Sequence, residues 1–267
     1  MSAAAIVAED VGVRFYFDRL HRVTTPTLAH VRRGVTESWG LRELSVDIRG
    51  GDAVALIGRS GAGKTTLLRV IAGILIPDEG RLSVRGQLGS LLSIEAGLLS
   101  RLTGRENALL LGVLSGLSRA QARLNVDSVS ERSGLDDAFD RPVSSYSQGM
   151  LARLGFAVVD QARPDILLLD EVHEALDHEF RERVQERVRE LLGRGGIVVA
   201  AGHDHPLLER VCNRALLVED GRIAADGSFD EVVHEYLARP LPDAPARAAA
   251  SGSRRGRSGT RSSARRS

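Results

Sequence analysis

Lys64 is the only lysine in a chain of 267 residues whose other basic side chains are all arginine. It stands in Gly58-Arg59-Ser60-Gly61-Ala62-Gly63-Lys64-Thr65, where four residues separate the first glycine from the Gly63-Lys64-Thr65 triplet. A compact ammonium reaches phosphate oxygens that a planar guanidinium would meet with different geometry. Glycines let the backbone curl, so that successive N–H groups and the first turn of a following helix point at one anion. In this pattern Lys64 is placed for the β and γ oxygens of a nucleoside triphosphate, Thr65 offers a hydroxyl to Mg²⁺, and Thr66 extends the first turn. Each charge-assisted hydrogen bond is worth about 1.5–3 kcal/mol, so several together support micromolar binding. A glycine-rich turn that matches by chance is the alternative. The apolar run before the loop and the helical stretch Leu67–Ala72 after it are the context the motif requires.

A second candidate lies a hundred residues on, in Asp165-Ile166-Leu167-Leu168-Leu169-Asp170-Glu171. A buried strand ending in two carboxylates puts Asp170 where it would hold Mg²⁺ through water, at the edge that opens toward the phosphate loop. Glu171, turned the other way, is placed to polarise an attacking water, a role worth about 10²- to 10⁴-fold in rate. Acidic residues after a strand are also common on plain surfaces, and the pair alone does not decide.

The elements that must hold these groups are legible as patterns. Val54–Ile57, Ile166–Leu169, Ile197–Ala201 and Ala215–Val218 are short apolar runs without alternation, as expected of strands covered on both faces. Between the second and third, Phe180, Val184, Val188 and Leu191 recur at spacings of four, four and three among Arg and Glu. With Gly193, Gly195 and Gly196 behind it, that stretch predicts an amphipathic helix. Strands alternating with helices predict an α/β fold with a mostly parallel sheet. Residues about 98–162 are different: Glu106–Leu114, Ala120–Arg132 and Met150–Val159 predict successive helices with no clear strand between them, an inserted helical subdomain.

Several motifs in order over residues 11–237 resemble the ATP-binding cassette (ABC) family of P-loop NTPases. Ser147-Gln148-Gly149-Met150, after Tyr146, looks like a variant of that family's LSGGQ signature, with Gln148 for the first glycine and Met150 for the final glutamine. The resemblance implies that this segment caps a helix in one subunit and clamps the γ-phosphate held by the other subunit, hence a composite site and a homodimer with ATP bound. A serine hydroxyl, a glycine amide and a helix N-terminus do make an anion site, although an ordinary serine cap looks the same. Ala175-Leu176-Asp177 resembles the D-loop that joins the subunits, and His203, followed by Asp204, matches the switch histidine at the γ-phosphate. Phe15, with Tyr16 and Phe17 beside it, falls where the family places an aromatic under the adenine; core packing is the rival reading. An antiparallel β part beside the parallel sheet is also implied. One motif departs from the pattern: in Ser93-Ile94-Glu95, where the family's Q-loop glutamine should fall, there is none, and Glu95 can accept bonds but not donate one.

Within the family, Leu102-Thr-Gly-Arg-Glu-Asn107, Tyr146–Met150 and Arg153-Leu-Gly-Phe-Ala157 resemble the ATPases that export lipid-linked polysaccharides, O-antigens and teichoic acids. So does the extra segment Asp18–Ser38. The resemblance implies a membrane permease partner, and a place on the inner face of the cell membrane. Soluble cassette ATPases that act on ribosomes or DNA are the alternative, and a nucleotide-sensing module without turnover is a third; intact Lys64 and Glu171 argue against the latter.

Bulk properties agree with these expectations. The formal net charge is +1, but residues 241–267 hold seven Arg and one Asp, so everything before them carries −5. No basic face for nucleic acid is expected in the folded part. Residues 1–240 are read as one nucleotide-binding domain and 241–267 as a disordered Arg/Ser-rich tail, which lacks the apolar surface to offset ordering. The lone Cys212 excludes an intrachain disulfide, and the apolar runs are far short of a bilayer span.

Overall fold

The computed structural model describes residues 3–18, 21–23, 36–92, 97–115, 117–170 and 177–239. In chain order the strands are β1 (Ala5–Asp18), β2 (His21–Val23), β3 (Thr36–Arg49), β4 (Ala53–Ile57), β5 (Glu79–Arg85), β6 (Leu88–Leu91), β7 (Ile166–Asp170), β8 (Ile197–Ala201), β9 (Arg214–Glu219) and β10 (Arg222–Ser228). The α-helices are α1 (Lys64–Ile71), α2 (Gly104–Leu114), α3 (Arg119–Ser133), α4 (Gln148–Gln161), α5 (His178–Gly193), α6 (His205–Glu209) and α7 (Phe229–Ala238).

The central sheet runs β10-β9-β4-β8-β7-β6, with only the β10–β9 pairing antiparallel. Its inner strands β9, β4, β8 and β7 lack alternation because both faces are covered. On β4, Val54 and Leu56 face a core shared with α1 and the antiparallel sheet, while Ala53, Ala55 and Ile57 face a second core against α4, α5 and α7. All four apolar runs are strands, and the amphipathic stretch is α5 with Phe180, Val184, Val188 and Leu191 buried. Cys212 lies in the second core, where burial pushes its thiol up to about 12.

The antiparallel part joins β1 to β2, β3 and β5. The side chains it buries in the first core are Ile6, Ala8, Val11 and Val13 on β1, and Leu41, Leu44, Val46 and Ile48 on β3. Both series keep a step of two except for one step of three, across Asp10 in β1 and Glu43 in β3. These two residues have φ of 50° and 48°, and the β1–β3 register shifts nearby. A bulge inserts one residue and restores the inward face, at the cost of the period that would reveal the strand.

The helices α2, α3 and α4 share a third core built on Ala108, Val126, Val129, Phe139, Leu151 and Leu154. Within it Asn107 is fully buried and saturated: its Oδ1 accepts from Leu99 N–H (2.7 Å), and its Nδ2 donates to the carbonyls of Leu99, Leu102 and Thr103 (3.1, 3.3 and 2.9 Å). One side chain thus fastens the loop before α2. No helix among the described residues is long and apolar enough to cross a membrane.

Candidate functional site

The loop Gly58–Thr65 leaves the end of β4 and enters α1. Gly58 has φ 146°, and a Cβ there would lie 2.2 Å from the Val218 carbonyl oxygen. Gly63 has φ 115°, and a Cβ would lie 2.6 Å from the Gly40 carbonyl oxygen. Only glycine serves at these two positions, because the conformation is left-handed and the neighbours are backbone. Ser60 and Gly61 are exposed, Arg59, Thr65 and Thr66 half-buried, and Ala62 buried. Lys64 is 7% exposed, and its ammonium donates to the carbonyls of Gly58 (2.7 Å) and Arg59 (3.1 Å).

Helix starts elsewhere show what is special here. α2, α3, α4, α5 and α6 open on Thr103, Ser118, Ser147, Asp177 and Asp204, whose side-chain oxygens accept a first-turn N–H. α1 opens on Gly63, which brings no acceptor, and its first turn contains no acidic residue. The positive end of the helix dipole is left for an outside anion, with a buried ammonium beside it.

Pairing fixes where the carboxylates fall. Asp170 is in register with Ala201 of β8, which is in register with Leu56 of β4. The tip of β7 is therefore level with the start of the glycine loop, two strands away, about 10 Å across the sheet. Asp170 is half-buried, and His203, two residues past Ala201, is exposed on the same edge. His205 is near enough to sense the loop: burial holds its imidazole below the ordinary histidine value, and the charges of His203 and Lys64 push the same way while Asp204 opposes. Glu171, Ala175, Leu176 and Glu95 lie outside the described residues, as do 240–267.

Ser147 and Gln148 are exposed and Gly149 half-buried at the start of α4. The Ser147 hydroxyl accepts from Met150 N–H (3.2 Å), which starts the helix two residues before the apolar pattern does. Ser147 and Gly149 line a concavity of about 500 Å³ with Arg153 and Asp177. The glycine loop lines a different one, about 520 Å³, with Glu219, Asp220 and Arg239.

Residues 41–174, half of the chain, match the ABC transporter family. The chain belongs to the ABC transporter family. Among curated relatives it is 37% identical over 196 residues to the O-antigen export system ATP-binding protein RfbB of Klebsiella pneumoniae, covering 73% of this chain and 80% of that one. It is 37% identical over 207 residues to the O-antigen export system ATP-binding protein RfbE of Yersinia enterocolitica, covering 77% and 87%. The teichoic acids export ATP-binding protein TagH of Listeria monocytogenes is 34% identical over 198 residues, 74% of this chain and 59% of that protein. A dimeric ATP-binding cassette solved in a post-hydrolysis state with ADP and Pi superposes with a TM-score of 0.68 at 20% identity, over 84% of this chain and 98% of that one. The fold is that of the ABC cassette, and the resemblance read from Leu102–Asn107 and Tyr146–Met150 agrees with the names of these relatives.

Two further residues singled out in the sequence can now be placed. Phe15 packs against the first core and lies on Gly40, where an added Cβ would be 2.4 Å from its ring. Gly40 in turn touches Gly63, so the ring is one residue removed from the glycine loop. Asp177 sits beside α4 instead: its Oδ1 accepts from Phe180 N–H (2.9 Å), and Oδ2 pairs with Arg153. Sequence reasoning did not single out Gly40, and it named Asn107 and Arg153 only as part of the export-type motifs, without the contacts they make.

Proposed function

We propose that the chain is the ATP-binding and hydrolysing subunit of an ABC exporter of a lipid-linked polysaccharide, O-antigen or teichoic acid type glycan. The observation that carries this reading is the level row Asp170–Ala201–Leu56, which sets a carboxylate strand end on the same sheet edge, two strands from an uncapped helix start holding one buried ammonium. Gly58, Arg59, Ser60, Gly61, Ala62, Gly63, Lys64, Thr65 and Thr66 wrap the phosphates, and the Phe15 ring lies under the base. The glycine cradle supports this assignment, since side chains at Gly58 or Gly63 would fill it.

Thr65 and Asp170 would hold Mg²⁺, which supplies charge to the β and γ oxygens when bound. Lys64 neutralises charge on the terminal phosphoryl group, Glu171 orients and deprotonates water, and His203 holds the γ-phosphate. Ser147 and Gly149 line a concavity apart from the glycine loop, so they and the neighbouring Gln148 meet a phosphate held by a second copy, with Asp177 at the junction. Residues 1–240 act as one nucleotide-binding unit with the helical part, about 98–162, inserted. The unit docks on a membrane permease at the inner face of the membrane, as the names of the export relatives support.

The test is purification from membranes in detergent. A stoichiometric polytopic partner that stimulates MgATP hydrolysis is the expected result; recovery with ribosomes instead would refute export. The Glu171→Gln variant is expected to bind ATP, accumulate as a dimer and hydrolyse poorly, whereas wild-type turnover would remove the general-base assignment.

A further inference from the structure

Arg153 lies six residues past the Ser147 cap, on the face of α4 that meets α5. Its guanidinium has three partners. It pairs with Asp177 Oδ2, donates to the Gly134 carbonyl at the end of α3 (3.4 Å), and stacks 5.4 Å from the ring centroid of Phe180. Three residues on, Phe156 meets Phe180 edge to face at 5.9 Å. The aromatic pair holds α4 against α5, and the guanidinium fixes where one stands along the other.

We propose that Arg153 is a positioning residue for ATP hydrolysis, which keeps Asp177 at a set place relative to the Ser147 end of α4. The proposal rests on the function proposed above. Asp177 follows directly on the segment leading out of β7, and it lines the same concavity as Ser147, Gly149 and Arg153. A merely structural ion pair would add little here, because its side chains are 25% and 50% exposed and such pairs contribute about 0–1 kcal/mol. Its consequence is geometric: displacing a group by about 1 Å costs turnover far more than it costs folding. The glycine loop takes its close contacts from Gly40, Val218 and Gly221, so nucleotide affinity does not depend on Arg153.

The experiment compares full-length wild type with Arg153→Gln, Arg153→Lys, Asp177→Asn and the double variant Arg153→Gln/Asp177→Asn. ATP affinity is read by nucleotide titration and kcat by MgATP hydrolysis at saturating ATP. Arg153→Gln is expected to lower kcat about tenfold with affinity within about twofold, and Arg153→Lys to regain about a third of wild-type turnover. Asp177→Asn still caps α5 and should match Arg153→Gln, with the double variant no slower than either. Wild-type kcat in Arg153→Gln, or losses that multiply in the double variant, overturns the proposal. Should Arg153→Gln fail to fold, wild-type kcat in Asp177→Asn overturns it equally. A folded wild type without hydrolysis would instead refute the proposed function itself.

Discussion

Replacing Gly63 with alanine tests the geometry of the loop at its tightest point. The native φ of 115° lies outside the wells open to an L-residue, and the new Cβ would stand 2.6 Å from the Gly40 oxygen and 3.2 Å from a Leu41 methyl. Left-handed strain costs about 1–2 kcal/mol, and overpacking against backbone about 1–3 kcal/mol. A loss near 3 kcal/mol lowers Tm by about 6–12 °C in a domain of this size. Relief can come only by moving the loop away from β3, which displaces the first turn of α1 and with it the phosphate cradle. ATP affinity should therefore fall by about tenfold or more, since each 1.4 kcal/mol lost is one decade. Gly51→Ala is the control, because that glycine has φ 95° but nothing within 4 Å of its Cβ and lies outside the loop. It should lose stability through strain alone and keep ATP binding. Calorimetry and nucleotide titration on both variants decide the matter. A Gly63→Ala protein that melts with Gly51→Ala and binds ATP as wild type does would show that the close approach to Gly40 is not what shapes the loop.

Lys64→Ala should weaken MgATP binding by about 10²- to 10⁴-fold, two charge-assisted bonds at about 1.5–3 kcal/mol each, in a titration of the folded variant. Asn107→Ala should lower stability by about 2–4 kcal/mol in denaturant unfolding, because the Leu99 N–H and the facing carbonyls are left buried without their partner. His205 has a folded pKa below its free value of 6.5. The unfolded chain then binds more protons, so stability contributed by this group is present above the free value and falls as pH drops below it. His205→Gln should flatten the pH dependence of Tm between about pH 5 and 7; an unchanged slope would contradict it.

Much of the fold was legible where one rule acted alone. The strands β4 and β8, and the middles of β7 and β9, are apolar without alternation because each is covered on both faces, and Phe180–Leu191 keeps a helix period because one face is wet. β1 and β3 were not legible as strands, since the residues at Asp10 and Glu43 break the alternation that would have marked them. Helix starts were misplaced inward at α1 and α4, where the turn begins on a glycine or a capped serine before any apolar residue. In the site, the glycine loop and Asp170 could be read from spacing, because their geometry is local to a strand end. Arg153 and Gly40 could not. Each acts through a residue distant in sequence, Asp177 and Gly63, and nothing in a linear pattern announces such a meeting.

The single thiol, sealed inside the core beside α6, makes the chain its own reagent for spectroscopy. With Cys212 buried and its thiol held in the protonated form by burial, cysteines installed at Ile76 and Leu124, which are 86% and 82% exposed, are expected to take up probes ahead of the native thiol. One sits beside the sheets and the other on α3, so the distance between two fluorophores there would report any displacement of the helical part when nucleotide is added. Slow uptake of label at Cys212 itself would time the opening of the core.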